Sequence, residues 1–129
     1  MYSDPVQTEY SRLAKRYDSR WSFYINTTIT LNRLDINQGE HILDLGCGTG
    51  VLIQRLLQVS PESEVIGIDA CAEMLEIAKQ KLPEFVELKL GSADNLPFPS
   101  NYFDLVVSTS AFHFFRDPSQ ALQEAKRVL

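Results

Sequence analysis

The sequence predicts a doubly wound α/β domain, a parallel sheet layered between helices, on three observations. Short apolar runs alternate with stretches of helical spacing about 10 to 15 residues long, the pattern of right-handed crossover units. The run Val65-Ile66-Gly67-Ile68 is nearly continuous in its apolar character, as in a parallel strand covered on both faces. Gly46, Gly48 and Gly50 stand at alternate positions between the first apolar run and the helical pattern after it. Glycine there lets the chain turn with φ > 0 and brings bare backbone close to a ligand.

The chain opens with two stretches of helical spacing. Val6, Tyr10, Leu13, Ala14 and Tyr17 line one face of Asp4 to Asp18, behind a cap at Ser3 or Asp4 with Pro5 at the first helical position. Trp21 to Leu34 continues helically with Phe23, Ile29 and Leu34 inward, and Asn37-Gln38-Gly39 breaks the pattern. His41 to Leu45 is the first predicted strand. Gly50 to Val59 has the Val51, Leu52, Leu56, Leu57 spacing of a helix, which Ser60-Pro61-Glu62 closes before the second strand at Val65 to Ile68. Cys71, Met74, Leu75, Ala78 and Leu82 fall on one helical stripe, which assigns Met74 to the core, and Pro83 stops that helix. Phe85 to Leu90 reads as the third strand, Leu105 to Ser108 as the fourth, and Asp117-Pro118 opens a last helix running to Leu129. Nothing repeats, so the 129 residues read as one domain, with N-terminal helices over about residues 1–35 and the core over about 36–129.

Composition narrows the function classes. Lys and Arg total 12 against 17 Asp and Glu, a net charge of -5 with a pI near 4.9, so no overall positive field favours nucleic acid. No apolar run approaches a membrane span, and Met1 to Tyr10 lacks the apolar stretch of a signal peptide. A soluble, cytoplasmic protein is the expectation. On that expectation the Asn26-Thr27-Thr28 sequon is a chance match, and Cys47 and Cys71 are free thiols. No Asp/His/Cys spacing suggests a metal.

The glycine turn is where chemistry concentrates, because ligands of such sheets bind beyond the carboxyl ends of the strands. A dinucleotide site calls for a third glycine at position 51, where Val51 stands. Asp44, two residues before Gly46, would repel a diphosphate from the helix N-terminus and suits a ligand with an ammonium or sulfonium centre. A nicotinamide-dependent oxidoreductase is thereby disfavoured.

Leu43-Asp44-Leu45-Gly46-Cys47-Gly48-Thr49-Gly50 resembles motif I of the class I S-adenosylmethionine-dependent methyltransferases. Ile66-Gly67-Ile68-Asp69 is similar to their second strand with its terminal acid. Gly91-Ser92-Ala93-Asp94-Asn95-Leu96-Pro97-Phe98 and Phe103-Asp104-Leu105-Val106-Val107 resemble the third region of the subgroup that methylates small molecules such as quinone precursors. Ala111 to Pro118 resembles the loop and helix start after strand four, and the likeness runs from about residue 8 to the end. It implies a Rossmann-like three-layer αβα sandwich with strand order 3-2-1-4, S-adenosyl-L-methionine as cofactor, S-adenosyl-L-homocysteine as product and a small-molecule methyl acceptor.

The resemblance also implies residue roles. Asp69 accepts hydrogen bonds from the ribose hydroxyls, and Ala70 lies against the adenine. Ala93 offers a backbone N–H to a ring nitrogen, and Asp94, where many relatives carry Glu, takes the exocyclic amine. The backbone of the turn at Gly46, Gly48 and Gly50, with the carbonyl near Ser108, holds the methionine end, whose ammonium Asp44 orients. Tyr10, Tyr17 and Trp21 resemble a lid helix, with Tyr17 the contact to cofactor. His113 is either the base for a protonated acceptor or a rim residue between Phe112 and Phe114 that shapes the pocket. His41, at the opposite end of the sheet, has no expected role.

Family members continue past the position of Leu129, so this chain is expected to supply the cofactor-binding part, as an enzyme or as a binding module without turnover. The fourth strand is then an outside edge, and Ala121, Leu122, Ala125 and Val128 have too little sheet beneath them. Self-association through that edge or the last helix, or membership of a longer protein, is the corresponding expectation.

Overall fold

The computed structural model describes residues 39–109 and 115–129. The two N-terminal helical stretches, with Tyr10, Tyr17 and Trp21, lie outside the described residues, as does His113. The described chain runs β1 (His41–Leu45), α1 (Val51–Val59), β2 (Glu64–Asp69), α2 (Ala72–Lys81), β3 (Glu87–Leu90), β4 (Leu105–Val107) and α3 (Pro118–Val128). The four strands form one parallel sheet in the order β3-β2-β1-β4, as expected. The fourth strand ends at Val107 rather than Ser108, and two other boundary differences have a local cause. β3 starts at Glu87 rather than Phe85, because the Val86 N–H donates to the Pro83 carbonyl at 3.0 Å and this turn leaves Phe85 74% exposed. β2 gains Glu64, whose N–H reaches the Glu40 carbonyl at 2.9 Å.

Strand alternation sends side chains to two cores. Ile42 and Val65 pack with Leu52, Ile53 and Leu56 of α1 and with Leu75 and Ala78 of α2 on one face. Leu43, Leu45, Ile66 and Ile68 pack on the other with Leu96, Phe98, Phe103 and Val128. Helices therefore cover both sides of the sheet, which is the three-layer sandwich.

The expectation that α3 lacks cover is corrected here. Ala121 and Val128 are fully buried and Ala125 packs against the second core, so only Leu122, at 59%, is left exposed. The cover comes from the β3–β4 connection: Phe98 and Phe103 stack edge to face with centroids 5.0 Å apart, and the N–H groups of Tyr102 and Phe103 both donate to the Val128 carbonyl at 2.8 Å. That segment supplies the apolar surface that the sheet alone does not. β4 pairs only with β1 among the described strands, with Leu105 and Val106 half-buried and Val107 buried.

Candidate functional site

The order β3-β2-β1-β4 means that the chain leaves β1 toward β2 and later returns to β1's other side as β4. This reversal opens a crevice beyond the carboxyl ends of the strands. The turn from β1 to α1 lies there. Gly46, Gly48 and Gly50 all have positive φ, at 78°, 56° and 84°, which L side chains rarely adopt. The turn is bolted to β2, because the N–H groups of Gly46 and Cys47 both donate to the Ile68 carbonyl, at 2.8 and 3.0 Å. Gly50 caps α1, and a Cβ at that position would stand 2.7 Å from Leu82 Cδ1 and 3.3 Å from Ala78 Cβ. Helix packing against α2 is thus a sufficient reason for glycine at position 50.

Asp69 ends β2 and ties the turn to α2. Its Oδ2 accepts from the Gly48 N–H at 2.8 Å and its Oδ1 from the Cys71 N–H at 2.9 Å. Burial raises its pKa above the ordinary carboxyl value, and the N–H groups of Cys71, Gly48 and Ala70 offset this only in part. A carboxylate has about four acceptor sites, so three N–H partners leave room for roughly one more donor.

Asp44 is in the opposite condition. It is the fourth residue of β1, paired with Gly67 of β2 and Val107 of β4, and its side chain is buried. Neither carboxylate oxygen has a hydrogen-bond partner among the described residues. Burial, and then the negative charge of Asp69, push its pKa to about 8. A buried acid without donors stays protonated at neutral pH until a cation or donor reaches it.

Cys47 feels the charge of both acids. Its thiol sits where Gly67 has no side chain, 2.8 Å from the site of the missing Cβ, and donates to the Gly48 carbonyl at 3.8 Å. Burial, then Asp44 and Asp69, raise its pKa well above the usual thiol value, which makes it a packing group rather than a nucleophile. Both cysteines are free and buried. Met74 is buried beside Cys71 and Ile77, a core position.

The third wall follows β3. The Gly91 N–H donates to the Asp69 carbonyl at 3.0 Å, and the Ser92 hydroxyl donates to the Asp94 carboxylate. Ala93 and Asp94 are half-buried in this turn, while Ala70 and Ser108 are exposed after β2 and β4. Asp44, Gly46, Gly48, Asp69, Ala70, Ala93, Asp94 and Ser108 thus follow or end the four strands at one end of the sheet. His41 opens β1 at the other end, with Nε2 3.4 Å from Glu64 Oε2.

Two residues escaped the sequence reading. Glu124 and Arg127 of α3 form an ion pair, with Arg127 Nε donating to Glu124 Oε2 at 2.6 Å, and both reach into the segment after Asp94. Glu124 Oε1 accepts from the Leu96 N–H at 2.9 Å, and Arg127 donates to the carbonyls of Leu96 and Phe98 at 3.1 and 2.9 Å. Their three-residue spacing was visible, but an acid–base pair at that spacing ordinarily marks a solvated helix face.

Among the described residues there is no cluster of acids, histidines or cysteines that could hold a metal ion, and no helix long and apolar enough to cross a membrane. Residues 43–129 match the family described as "Methyltransferase domain". Demethylmenaquinone methyltransferase of Thermotoga maritima is 33% identical over 131 aligned residues, covering 93% of this chain and 55% of that protein. The crystal structure of the YcgJ protein from Bacillus subtilis superposes with a TM-score of 0.72 at 32% identity, over 82% of this chain and 46% of that one. A protein solved in complex with the Haloferax volcanii Trm112 methyltransferase activator gives a TM-score of 0.83 at 25% identity, over 100% of this chain and 57% of that one. The chain spans between 30% and 56% of the length of the curated relatives it matches. A glycine turn on β1, an acid ending β2 and the matched 43–129 segment agree with one another: the chain belongs to the methyltransferase-domain family, on a Rossmann-like fold.

Proposed function

We propose that the chain binds S-adenosyl-L-methionine beyond the carboxyl ends of β1, β2 and β3 and serves the transfer of its methyl group to a small-molecule acceptor in the cytoplasm. The observation that carries this reading is Asp44, a buried carboxyl group without a partner among the described residues. A ligand ammonium is the complement such a group lacks, whereas a diphosphate offers it no cation and would meet Asp69 as a like charge. The residues present therefore fit an aminoacyl nucleoside better than a dinucleotide.

When bound, S-adenosyl-L-methionine would supply a methyl group activated by its sulfonium sulfur, which leaves as the neutral thioether of S-adenosyl-L-homocysteine. The chain contributes binding and alignment. Asp44 faces the ammonium with the turn at Gly46 and Gly48 and the carbonyl near Ser108. Asp69 accepts a ribose hydroxyl at its remaining acceptor site. The Ala93 N–H and the Asp94 carboxylate read the adenine edge, with Ala70 against the ring. Tyr17 closes over the site, and His113 takes the acceptor's proton where the acceptor carries one. The small acceptor is supported by likeness to a demethylmenaquinone methyltransferase, whose named substrate is a small molecule.

Calorimetric titration with S-adenosylhomocysteine and with NAD tests the ligand. Binding of the first and none of the second is expected; the reverse overturns the reading. Transfer of labelled methyl to a panel of small quinols, phenols and amines tests the activity, and cofactor binding with no transfer to any of them points to a binding module.

A further inference from the structure

We infer that Glu124 and Arg127 are positioning residues for recognition of the adenine, acting through the turn Ser92–Asn95. The inference rests on the cofactor reading above. That turn carries Ala93 and Asp94, and it is held from both sides. Upstream, the Gly91 N–H is fixed to the Asp69 carbonyl at 3.0 Å, so the turn starts from the strand end that bears the ribose acceptor. Downstream, α3 grips the backbone of Leu96 by both of its polar groups. Glu124 takes the Leu96 N–H at 2.9 Å, and Arg127 takes the Leu96 carbonyl at 3.1 Å and the Phe98 carbonyl at 2.9 Å.

The two side chains act as one device. Glu124 is buried and receives two nitrogens of the Arg127 guanidinium, at 2.6 and 3.1 Å, which holds its carboxyl below the ordinary range. The guanidinium makes four N–H bonds, two to Glu124 and one each to the carbonyls of Leu96 and Phe98, more than the three donors of an ammonium can supply. Asp94 is two residues from Leu96, and an extended residue spans at most about 3.6 Å, so slack at Leu96 shifts the base-reading groups by a large part of a hydrogen-bond length. A base edge read by one N–H and one carboxylate tolerates little such movement.

The test compares S-adenosylhomocysteine with its inosine counterpart, which reverses both reading contacts by putting a carbonyl in place of the exocyclic amine and a ring N–H in place of the bare nitrogen. The parent chain is expected to prefer the adenosyl ligand by roughly tenfold or more, the worth of a charged hydrogen bond. In Arg127→Lys and Glu124→Gln the preference falls to within about threefold, through lost adenosyl affinity, with inosyl affinity unchanged. A merely structural role would lower the melting temperature and leave the ratio intact. Undiminished preference in folded variants overturns the positioning role alone, whereas a parent that binds neither ligand overturns the cofactor reading too. Hydrogen exchange of the parent needs no variant: the Leu96 amide is expected to be protected before ligand is added, and fast exchange that slows only on binding would show that the turn is not held in advance.

Discussion

Asp44 makes a prediction whose size follows from its burial. Its folded-state pKa is about 8 against an ordinary value of 3.8, so the folded chain holds a proton there that the unfolded chain has already released. Between about pH 4 and pH 8 the native state binds more protons than the unfolded state, and stability falls as pH rises through that window. The full loss is on the order of 5 kcal/mol from a shift of this size. Asp44→Asn removes the ionisation while keeping the shape. The stability difference between variant and parent, from urea melts, is therefore expected to grow in the variant's favour from pH 5 to pH 8.

Ligand binding turns this cost into a signature. A ligand whose ammonium needs ionised Asp44 must draw on the small ionised fraction of the free protein. With a pKa of about 8 that fraction rises roughly 80-fold between pH 5.5 and 7.5, and affinity for S-adenosylhomocysteine rises with it. Each binding event releases about one proton at the acid end of that range, visible as a calorimetric heat that changes with the buffer's ionisation enthalpy. Asp69 also has a raised pKa and adds a slope of its own, but Asp44→Asn leaves Asp69 in place. The slope attributable to Asp44 is the difference between parent and variant. A parent affinity flat within twofold across this range, or an equal slope in Asp44→Asn, would refute the assignment of the ammonium to Asp44.

Asp69→Ala is expected to weaken S-adenosylhomocysteine binding by roughly 1.5 to 3 kcal/mol, measured by titration of the folded variant. It also strands the N–H groups of Gly48 and Cys71, so urea melts should show a loss of roughly 1 to 3 kcal/mol in stability. Gly50→Ala introduces a Cβ 2.7 Å from Leu82 Cδ1 at a φ of 84°, and a loss of roughly 2 to 4 kcal/mol in urea melts is expected from left-handed strain and overpacking together. His113→Ala is expected to lower methyl transfer across pH 6 to 9 while leaving S-adenosylhomocysteine affinity unchanged; equal turnover of variant and parent returns His113 to shaping the pocket.

What the sequence made legible follows from periodicity and from backbone constraint. The alternation of strands and helices, the two-faced cover of Val65 to Ile68 and the stripe from Cys71 to Leu82 are consequences of where apolar side chains recur, whereas the strand order was implied only by the family resemblance. The positive φ at Gly46, Gly48 and Gly50 was legible because few residues besides glycine adopt it cheaply. What escaped were contacts between positions far apart in sequence. The cover that Phe98 and Phe103 give to Val128, and the hold of Glu124 and Arg127 on Leu96, join segments about 30 residues apart, and no local pattern encodes such a pairing. Gly50 shows the remaining difficulty. A glycine wanted for ligand approach and one wanted for helix packing look alike in sequence, and only the 2.7 Å approach of Leu82 identifies the second demand.

Asp44 and Asp69 looked alike in the sequence as well, two acids near the carboxyl ends of neighbouring strands, yet the fold gives them opposite jobs. Asp69 already has backbone donors, which offset part of what burial costs its charge, and it presents a fixed acceptor whether or not a ligand is present. Asp44 has none among the described residues, and its charge has to be created by what binds. The two cannot be exchanged, because ionised Asp69 is itself one of the reasons that Asp44 resists ionisation. A cation at Asp44 offsets both the desolvation of that group and its repulsion from Asp69, whereas a neutral isostere offsets neither. Selectivity for a positively charged ligand therefore rests on Asp44 and is tuned by Asp69, and the pH at which it develops should shift when Asp69 is neutralised to Asn even though Asp44 is untouched. In Asp69→Asn the pKa of Asp44 falls, so the pH dependence of S-adenosylhomocysteine affinity should move to lower pH; a midpoint that stays in place would mean that burial alone holds Asp44 protonated.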